Sequence, residues 1–158
     1  MAEEKSAPQP QVSIQKIYLK DVSLESPHAP GVFTTQEWKP DVNLQVNTET
    51  QALEDGNYDV SLTLTVTVKQ NNGTLYLVEV KQAGIFTIKG LEKEQLQAVL
   101  ATFCPANLFP YARETVSSLV ERAGFPQLLL QPVNFDALYQ QHMQKLQQTK
   151  QADTTKAH

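Results

Sequence analysis

The stretch CPANLFPYARETVSSLVERAGFPQLLLQPVNFDALY, residues 104–139, decides the fold because it specifies two helices joined by an apolar connector. Asn107 can cap the first helix, and Gly124 followed by a proline can end it. Asn134 can cap the second helix, whose apolar stripe follows helical spacing. That stripe consists of Phe135, Leu138, Tyr139, Met143 and Leu146. The stretch contains no pattern typical of an active site, so it favours a protein that binds other chains.

Strands are predicted before this stretch. Over residues 58–68, apolar residues alternate with Asp, Ser and Thr, which indicates a strand with one buried and one solvated face. Asn71-Asn72-Gly73 then favours a tight hairpin turn into a strand over residues 75–88. Two more strands are predicted upstream, over residues 12–24 and 41–52. A helix over residues 96–103 follows the strands and precedes the opening stretch.

The first strand is predicted to have two distinct faces. Ile14, Tyr18, Val22 and Leu24 are expected to share one face; the residues expected on the opposite face are Asp21, Ser23 and Glu25. The connector over residues 26–40 is too long for a simple hairpin. The predicted fold class is therefore α+β: a four-stranded antiparallel sheet with a long crossover between strands 1 and 2, and helices packed on one face.

Length and composition predict one domain over residues 12–148. Residues 1–11 are polar and Pro-containing and are predicted to be disordered, and residues 149–158 to form a flexible tail. The net charge of −4 argues against a nucleic-acid partner. There is no basic and apolar signal sequence, no apolar run near the ~20 residues of a membrane helix, and a single cysteine. We expect a cytoplasmic protein without membrane insertion.

Candidate catalytic groups each have a simpler interpretation. The three histidines lie far apart, and no zinc or phosphate-binding motif exists, so no metal or cofactor is predicted. Cys104 could be a reactive thiol at a helix start, but a buried side chain is favoured. Asp21 and Glu25 could form a catalytic carboxylate pair, but a solvated acidic face is favoured. The sequence therefore predicts a protein that is not an enzyme.

The segments LFPYAR and FPQLLLQPVNFDALY, together with residues 14–30, 32–42 and 76–90, resemble the SecB family of bacterial protein-export chaperones. The resemblance covers about residues 12–146. It implies a SecB-like fold with a four-stranded antiparallel sheet and helices on one face. It also implies a homotetramer, a dimer of dimers, in which helices are sandwiched between sheets.

The resemblance implies an ATP-independent chaperone. Such a protein keeps unfolded precursor proteins translocation-competent in the cytoplasm and delivers them to SecA, the ATPase motor of the Sec export pathway. The expected client-binding residues are Phe33, Trp38, Leu138, Tyr139, Met143 and Leu146. From helical spacing alone, the Phe135–Leu146 stripe is more often part of a protein's own core.

The resemblance also assigns two further residue sets. Asp21, Glu25, Leu77 and Glu79 are implied to form a SecA-binding surface, and the alternation of faces agrees with that grouping. Val78, Val80 and Gln82 are implied to lie on an inward face that supports the oligomer interface. Two alternatives stay open: a SecB-like chaperone dedicated to an antitoxin, and a small-ligand enzyme. The enzyme requires a tuned acid or base in a closed pocket, and the sequence offers no candidate.

Overall fold

The computed structural model describes residues 9–34 and 37–156. Its strands are β1 (Gln11–Glu25), β2 (Asp41–Ala52), β3 (Asn57–Gln70) and β4 (Gly73–Lys89), and its helices are α1 (Lys93–Ala101), α2 (Phe103–Arg122) and α3 (Phe135–Lys156). A 3-10 turn, Gly31–Thr34, lies in the connector between β1 and β2. The strands form one antiparallel sheet in the order β1-β4-β3-β2. The predicted α+β class is confirmed, and the crossover is long because β1 and β2 occupy opposite edges of the sheet.

The core lies between the sheet and α2. The strict alternation of β3 places its five apolar side chains on one face, which we call the inner face, and all five are fully buried: Val60, Leu62, Leu64, Val66 and Val68. Helix α2 covers this face with a stripe that repeats every four residues: Cys104, Leu108, Ala112, Val116 and Val120. Burial of this apolar area is the main favourable contribution to the fold.

Helix α2 begins earlier than its sequence predicts. It starts at Phe103, so Asn107 lies inside the helix and its side-chain amide donates a hydrogen bond to the Phe103 carbonyl at 2.8 Å instead of capping. Pro110 consequently lies inside the helix. The complete burial of Cys104 and Leu108 explains why the helix extends through this region despite the proline. Asn134 does cap α3, because its side-chain oxygen accepts a hydrogen bond from the Ala137 amide at 3.0 Å.

Strand β1 departs from regular alternation at two bulges. Its register with β4 shifts between Ile14 and Lys16 and again between Leu19 and Asp21. Each bulge inserts one residue and so reverses the faces of the residues that follow. Tyr18, which lies between the bulges, is opposite Ala83 on the outer face, so its predicted grouping with Ile14 and Val22 is wrong. The second bulge restores the predicted faces from Asp21 onward.

The last helix extends into the tail of the chain. Helix α3 continues to Lys156, so the tail predicted as flexible from Thr149 is helical over all its described residues. No glycine or proline interrupts residues 135–156, and Gln, Lys and Ala there favour a helix. Strand β1 begins at Gln11, the last residue of the segment predicted to be disordered. Residues 1–8 of that segment and residues 157–158 of the tail lie outside the described residues.

Candidate functional site

An aromatic cluster forms where the β1–β2 connector meets the end of α2. Phe125 is its centre: its ring centroid lies 4.6 Å from Tyr76, 5.1 Å from Phe33 and 6.2 Å from Trp38. Tyr76 and Phe125 are buried, and that burial raises the pKa of the Tyr76 hydroxyl to about 12. Phe33 and Trp38 are 48% and 43% exposed. The aromatic cluster, defined by these four residues, therefore presents two partly exposed rings on a buried base.

Gly124 shapes this cluster. It ends α2 with a φ of +92°, a conformation that side chains rarely adopt. A Cβ at this position would lie 3.2 Å from the Phe33 ring, so the glycine also lets the ring approach the backbone. The turn brings Phe125 beneath Phe33 and Trp38, which come from a distant part of the chain.

A second apolar site lies at the start of α3. This α3 pocket has a volume of about 540 Å³ and is lined by β2, α1 and α3. Its principal side chains are Val46, Thr48, Leu100, Leu138 and Tyr139. Three of the β2 residues that line it, Val46, Thr48 and Thr50, are on the inner face of the sheet, because they are opposite the buried Leu64, Leu62 and Val60 of β3.

The inner face of β2 joins the two sites. Val42 is opposite Val68, which is in turn opposite Tyr76 of the aromatic cluster. From Val42 to Thr48 the strand advances about 20 Å at the usual rise per residue. Residues 125–134 begin in the aromatic cluster and end beside Phe135 in the α3 pocket. We call the surface comprising the aromatic cluster, the inner face of β2 and the α3 pocket the groove.

The open edge of β2 adds hydrogen-bonding groups to the groove. The strand pairs with β3 on one side only, and within the described residues no strand covers its other side. An uncovered edge strand presents backbone N–H and C=O groups that an extended peptide can pair with. Val42 is exposed on the same strand. The groove therefore combines apolar surface with a template for main-chain bonds.

The structure brings together some of the predicted client-binding residues and separates others. Phe33 and Trp38 meet in the aromatic cluster, and Leu138 and Tyr139 line the α3 pocket. Met143 and Leu146 are exposed farther along α3 and line neither site. Sequence reasoning missed four contributors: Tyr76, Phe125, Val42 and Val46. The pair Gly124-Phe125 was the available signal, since a left-handed glycine turn redirects the residue after it.

Four residues predicted to bind a partner lie together on the outer face of the sheet, away from α2. Glu25 is opposite Leu77, and the neighbouring pair is Ser23 opposite Glu79. Asp21 lies two residues before Ser23 on β1. Asp21, Glu25 and Glu79 are all exposed. We call the surface formed by Asp21, Glu25, Leu77 and Glu79 the acidic face. Glu25 and Glu79 neighbour Leu77, and Asp21 lies farther along the same face, opposite Lys81.

Neighbouring polar groups border the acidic face. Thr65 Oγ1 donates a hydrogen bond to Glu79 at 3.0 Å. Lys81, which is opposite Asp21, forms an ion pair with Glu49 at 3.5 Å on the far side of β3. That pairing directs the Lys81 ammonium toward Glu49, and the residues that carry the carboxylates on β1, Asp21 and Glu25, are exposed.

The residues predicted for the oligomer interface lie on the inner face. Val78 and Val80 are fully buried, and both belong to the core cluster of their own chain with α2. Gln82 is 4% exposed, and its side-chain amide donates a hydrogen bond to the Tyr18 carbonyl at 3.0 Å. The predicted inward orientation agrees with these positions. Their contacts lie within the chain, so an effect on assembly would be indirect.

The candidate reactive thiol, Cys104, is not accessible to solvent. Cys104 is fully buried in the core, and burial raises the pKa of its thiol to about 12. This is the opposite of the lowered pKa that a reactive cysteine needs. Among residues 9–34 and 37–156, no group of three His, Cys, Asp or Glu side chains is arranged to hold a metal ion. In the same part of the chain, no helix has the length and apolar character needed to cross a membrane.

Comparison with known proteins identifies the family of this chain. The family model described as preprotein translocase subunit SecB matches residues 5–146. The chain belongs to the SecB family. The protein-export protein SecB of Alkalilimnicola ehrlichii is 53% identical over 152 residues, which cover 96% of this chain and 80% of that protein. The SecB of Methylococcus capsulatus is 50% identical over 154 residues, or 98% of this chain and 99% of its own. The SecB family is not an enzyme family.

A solved structure supports the fold. A SecB-like chaperone of Mycobacterium tuberculosis, in complex with a peptide from an antitoxin, superposes with a TM-score of 0.65. The match has 22% sequence identity and covers 78% of this chain and 91% of that chain. At this identity the likeness establishes the shared SecB fold, which agrees with the four-stranded antiparallel sheet and its helices.

Proposed function

We propose that this SecB-family protein is an ATP-independent chaperone of the Sec export pathway. It binds unfolded precursor proteins in the cytoplasm, keeps them translocation-competent and delivers them to the SecA motor. The observation that carries the proposal is the groove: two partly exposed aromatic rings and a separate apolar pocket, joined by an uncovered edge strand. Membership in a family of protein-export proteins supports the same role.

The chemistry of the groove suits many different clients. Burial of apolar surface is non-directional, so a client needs apolar side chains at suitable spacing rather than one sequence. Main-chain pairing with the β2 edge is equally independent of sequence. A protein that binds the unfolded state and not the native state opposes folding by mass action, without ATP. The groove therefore favours extended, unfolded segments over compact folded proteins.

The acidic face provides a separate site for the motor. It lies on the outer face of the sheet, whereas the groove lies on the inner face and the β2 edge. A partner with a basic segment would be steered there by Asp21, Glu25 and Glu79, with Leu77 adding an apolar contact. The two positions support a mechanism in which client and motor bind at the same time, as a transfer between them requires.

Assembly into a homotetramer, a dimer of dimers, is part of the proposal. Four inner-face side chains of edge strand β1 are exposed on the single chain: Val12, Ile14, Leu19 and Val22. On α2, Phe103 and Tyr111 are exposed as well. Contiguous apolar residues on a strand edge and a helix are more readily explained by contact with other copies of the chain than by exposure to water.

Retardation of aggregation tests client binding. The purified protein, without nucleotide, should keep a chemically denatured precursor from aggregating when four chains are supplied per client, as measured by light scattering. Leu138→Ser should weaken this protection, because it places a hydroxyl in the α3 pocket. Leu53→Ser is the matched control, since Leu53 is equally exposed but lies outside the groove. Unprotected aggregation with the wild-type protein would rule out the chaperone function.

Charge reversal tests motor docking. Asp21→Lys with Glu25→Lys should weaken binding to purified SecA at least about 10-fold, since like charges would oppose the basic segment. Protection of a denatured precursor should not change in the same variant. Loss of both activities together would mean that the groove and the acidic face are not separate sites.

A dedicated antitoxin chaperone is the second candidate, because the superposed M. tuberculosis chaperone holds an antitoxin peptide. The intact acidic face of this chain favours the export role. Binding to several unrelated denatured precursors supports the general chaperone, whereas binding confined to a single antitoxin segment supports the alternative.

A further inference from the structure

A polar network crosses strand β4 on the outer face of the sheet. Asp59 of β3 accepts a hydrogen bond from the Tyr18 hydroxyl at 2.5 Å and one from Nζ of Lys20 at 2.7 Å. Nζ of Lys20 also donates to the Ser61 hydroxyl at 3.2 Å. We call these four residues the Asp59 network. Asp59 is only 7% exposed, so two donors from β1 satisfy a nearly buried carboxylate.

The Asp59 network can form because the β4 residue between Tyr18 and Ser61 has a small side chain. Tyr18 is opposite Ala83 of β4, and Ala83 is opposite Ser61 of β3. Ala83 is fully buried, and its methyl group leaves room for the longer side chains to reach across it. Side chains two strands apart lie about 10 Å apart at their backbones, so only long groups such as Tyr and Lys span that distance.

Opposite charges hold the network together at neutral pH. Burial by itself raises the pKa of Asp59, but hydrogen bonds from Lys20 and Tyr18, with the positive charges of Lys20 and Lys81, outweigh it, so the pKa is lowered overall. The hydrogen bond to Asp59 is the main reason that the pKa of Lys20 is raised. The carboxylate and the ammonium are therefore both charged, and their hydrogen bond is charge-assisted.

Lys20 lies at the second bulge of β1. The register shift between Leu19 and Asp21 makes Lys20 the residue inserted at the second bulge. From the inner face, Gln82 donates a hydrogen bond to the carbonyl of Tyr18, two residues before Lys20. The bulge is thus fixed from both faces of the sheet. Loss of the bulge would shift the pairing by one residue and exchange the faces of the residues around Asp21.

We propose that Asp59 is a positioning residue for the acidic face: by holding Lys20 it fixes the second β1 bulge and keeps Asp21 on the outer face. The inference rests on the proposed docking of a basic segment of the motor. Asp59 does not contact the partner. It acts through the backbone of β1, two strands away from its own position.

Lys20→Met separates positioning from simple electrostatics. Removing a positive charge beside an acidic surface would strengthen binding of a basic partner if charge alone mattered. The proposal expects the opposite: Lys20→Met weakens binding of purified SecA about 5-fold or more, because β1 loses its anchor. Asp59→Asn should weaken binding to a similar extent, and the double variant should be no weaker than either single variant. Lys20→Met that binds SecA as tightly as wild type, or more tightly, overturns the proposal.

Hydrogen exchange supplies the structural readout. In Asp59→Asn, amides of residues 18–22 should exchange faster, while amides in the β2–β3 ladder and protection of a denatured precursor stay unchanged. Unchanged exchange in β1 contradicts the proposal. Tyr18→Phe, which removes one donor and keeps the ring, provides a milder variant should Asp59→Asn fail to fold, and it should show the same pattern at smaller amplitude.

The experiments distinguish failure of the docking function from failure of the positioning role of Asp59. If charge reversal at Asp21 and Glu25 weakens SecA binding but Lys20→Met does not, the docking function holds and the positioning role is wrong. If charge reversal has no effect, both are wrong.

Discussion

Single residues set how closely the helical layer approaches the sheet, and Gly84 of β4 is the tightest case. A Cβ there would lie 2.9 Å from the Phe86 ring, 3.1 Å from Leu108 of α2 and 3.1 Å from the Lys16 carbonyl. One methyl group would therefore collide with β1 and α2 at the same time. The sequence marks this glycine as isolated within a strand, but only the fold shows what approaches it.

Gly84→Ala should destabilise the protein by about 1–3 kcal/mol, because an overpacked core must shift backbone and side chains. Urea unfolding followed by circular dichroism measures the change. Gly31→Ala is the matched control, since nothing lies within 4 Å of a Cβ at Gly31. Equal stability of the two variants would show that α2 packs less closely than described.

Cys104 should be inert in the folded protein. It is fully buried, and its thiol has a pKa of about 12, so the reactive thiolate is scarce at pH 8. A thiol reagent should label the native protein far more slowly than the urea-unfolded protein, in which the thiol returns to its ordinary pKa. Equally rapid labelling in both states would place Cys104 at the surface and reopen a reactive role.

Secondary-structure elements differ in how far they can be predicted from their own residues. Strand β3 alternates strictly, and its faces are as predicted because its inner-face side chains from Val60 to Val68 are fully buried. Strand β1 contains two bulges, and a bulge depends on what the neighbouring strand offers opposite each residue. The prediction of the face on which Tyr18 lies was therefore wrong, whereas the predicted faces of Asp21 and Glu25 agree with the structure.

Helix α3 should be locally stable at its N-terminal end and should unfold easily at its C-terminal end. Phe135 is its only buried residue among those described, and residues 143–156, beyond the α3 pocket, are all exposed. Helices without tertiary packing are marginal in water. Amides of residues 147–156 should exchange with solvent much faster than amides in the middle of α2. Comparable protection would indicate that another chain covers the end of α3.

The candidate site is assembled from segments far apart in sequence. Phe33 and Trp38 could be predicted as binding residues, but their base of Tyr76 and Phe125 could not, because it requires β4 and the end of α2 to meet. Likewise, the contribution of β2 depends on its position at the edge of the sheet. The residue types suggested binding, whereas the continuity of the groove follows only from the topology.

Assembly should be visible in the mass of the native protein. Native mass spectrometry should give a species of about four times 17.7 kDa, because four copies can cover the apolar residues exposed on β1 and α2. Leu19→Lys places a charge among the exposed apolar residues of β1. This variant should shift the population from tetramers to smaller oligomers or monomers. A stable monomer of the wild-type chain would contradict the tetramer.

Trp38 reports directly on whether unfolded chains bind in the groove. It is the only tryptophan, and it is 43% exposed in the aromatic cluster. Titration without nucleotide with a denatured, tryptophan-free precursor should shift the Trp38 emission to shorter wavelength, since the client replaces water at the indole. The folded form of the same client should cause no shift. Unchanged Trp38 emission while the denatured client co-elutes with the protein would show that clients bind elsewhere and would contradict the proposed groove.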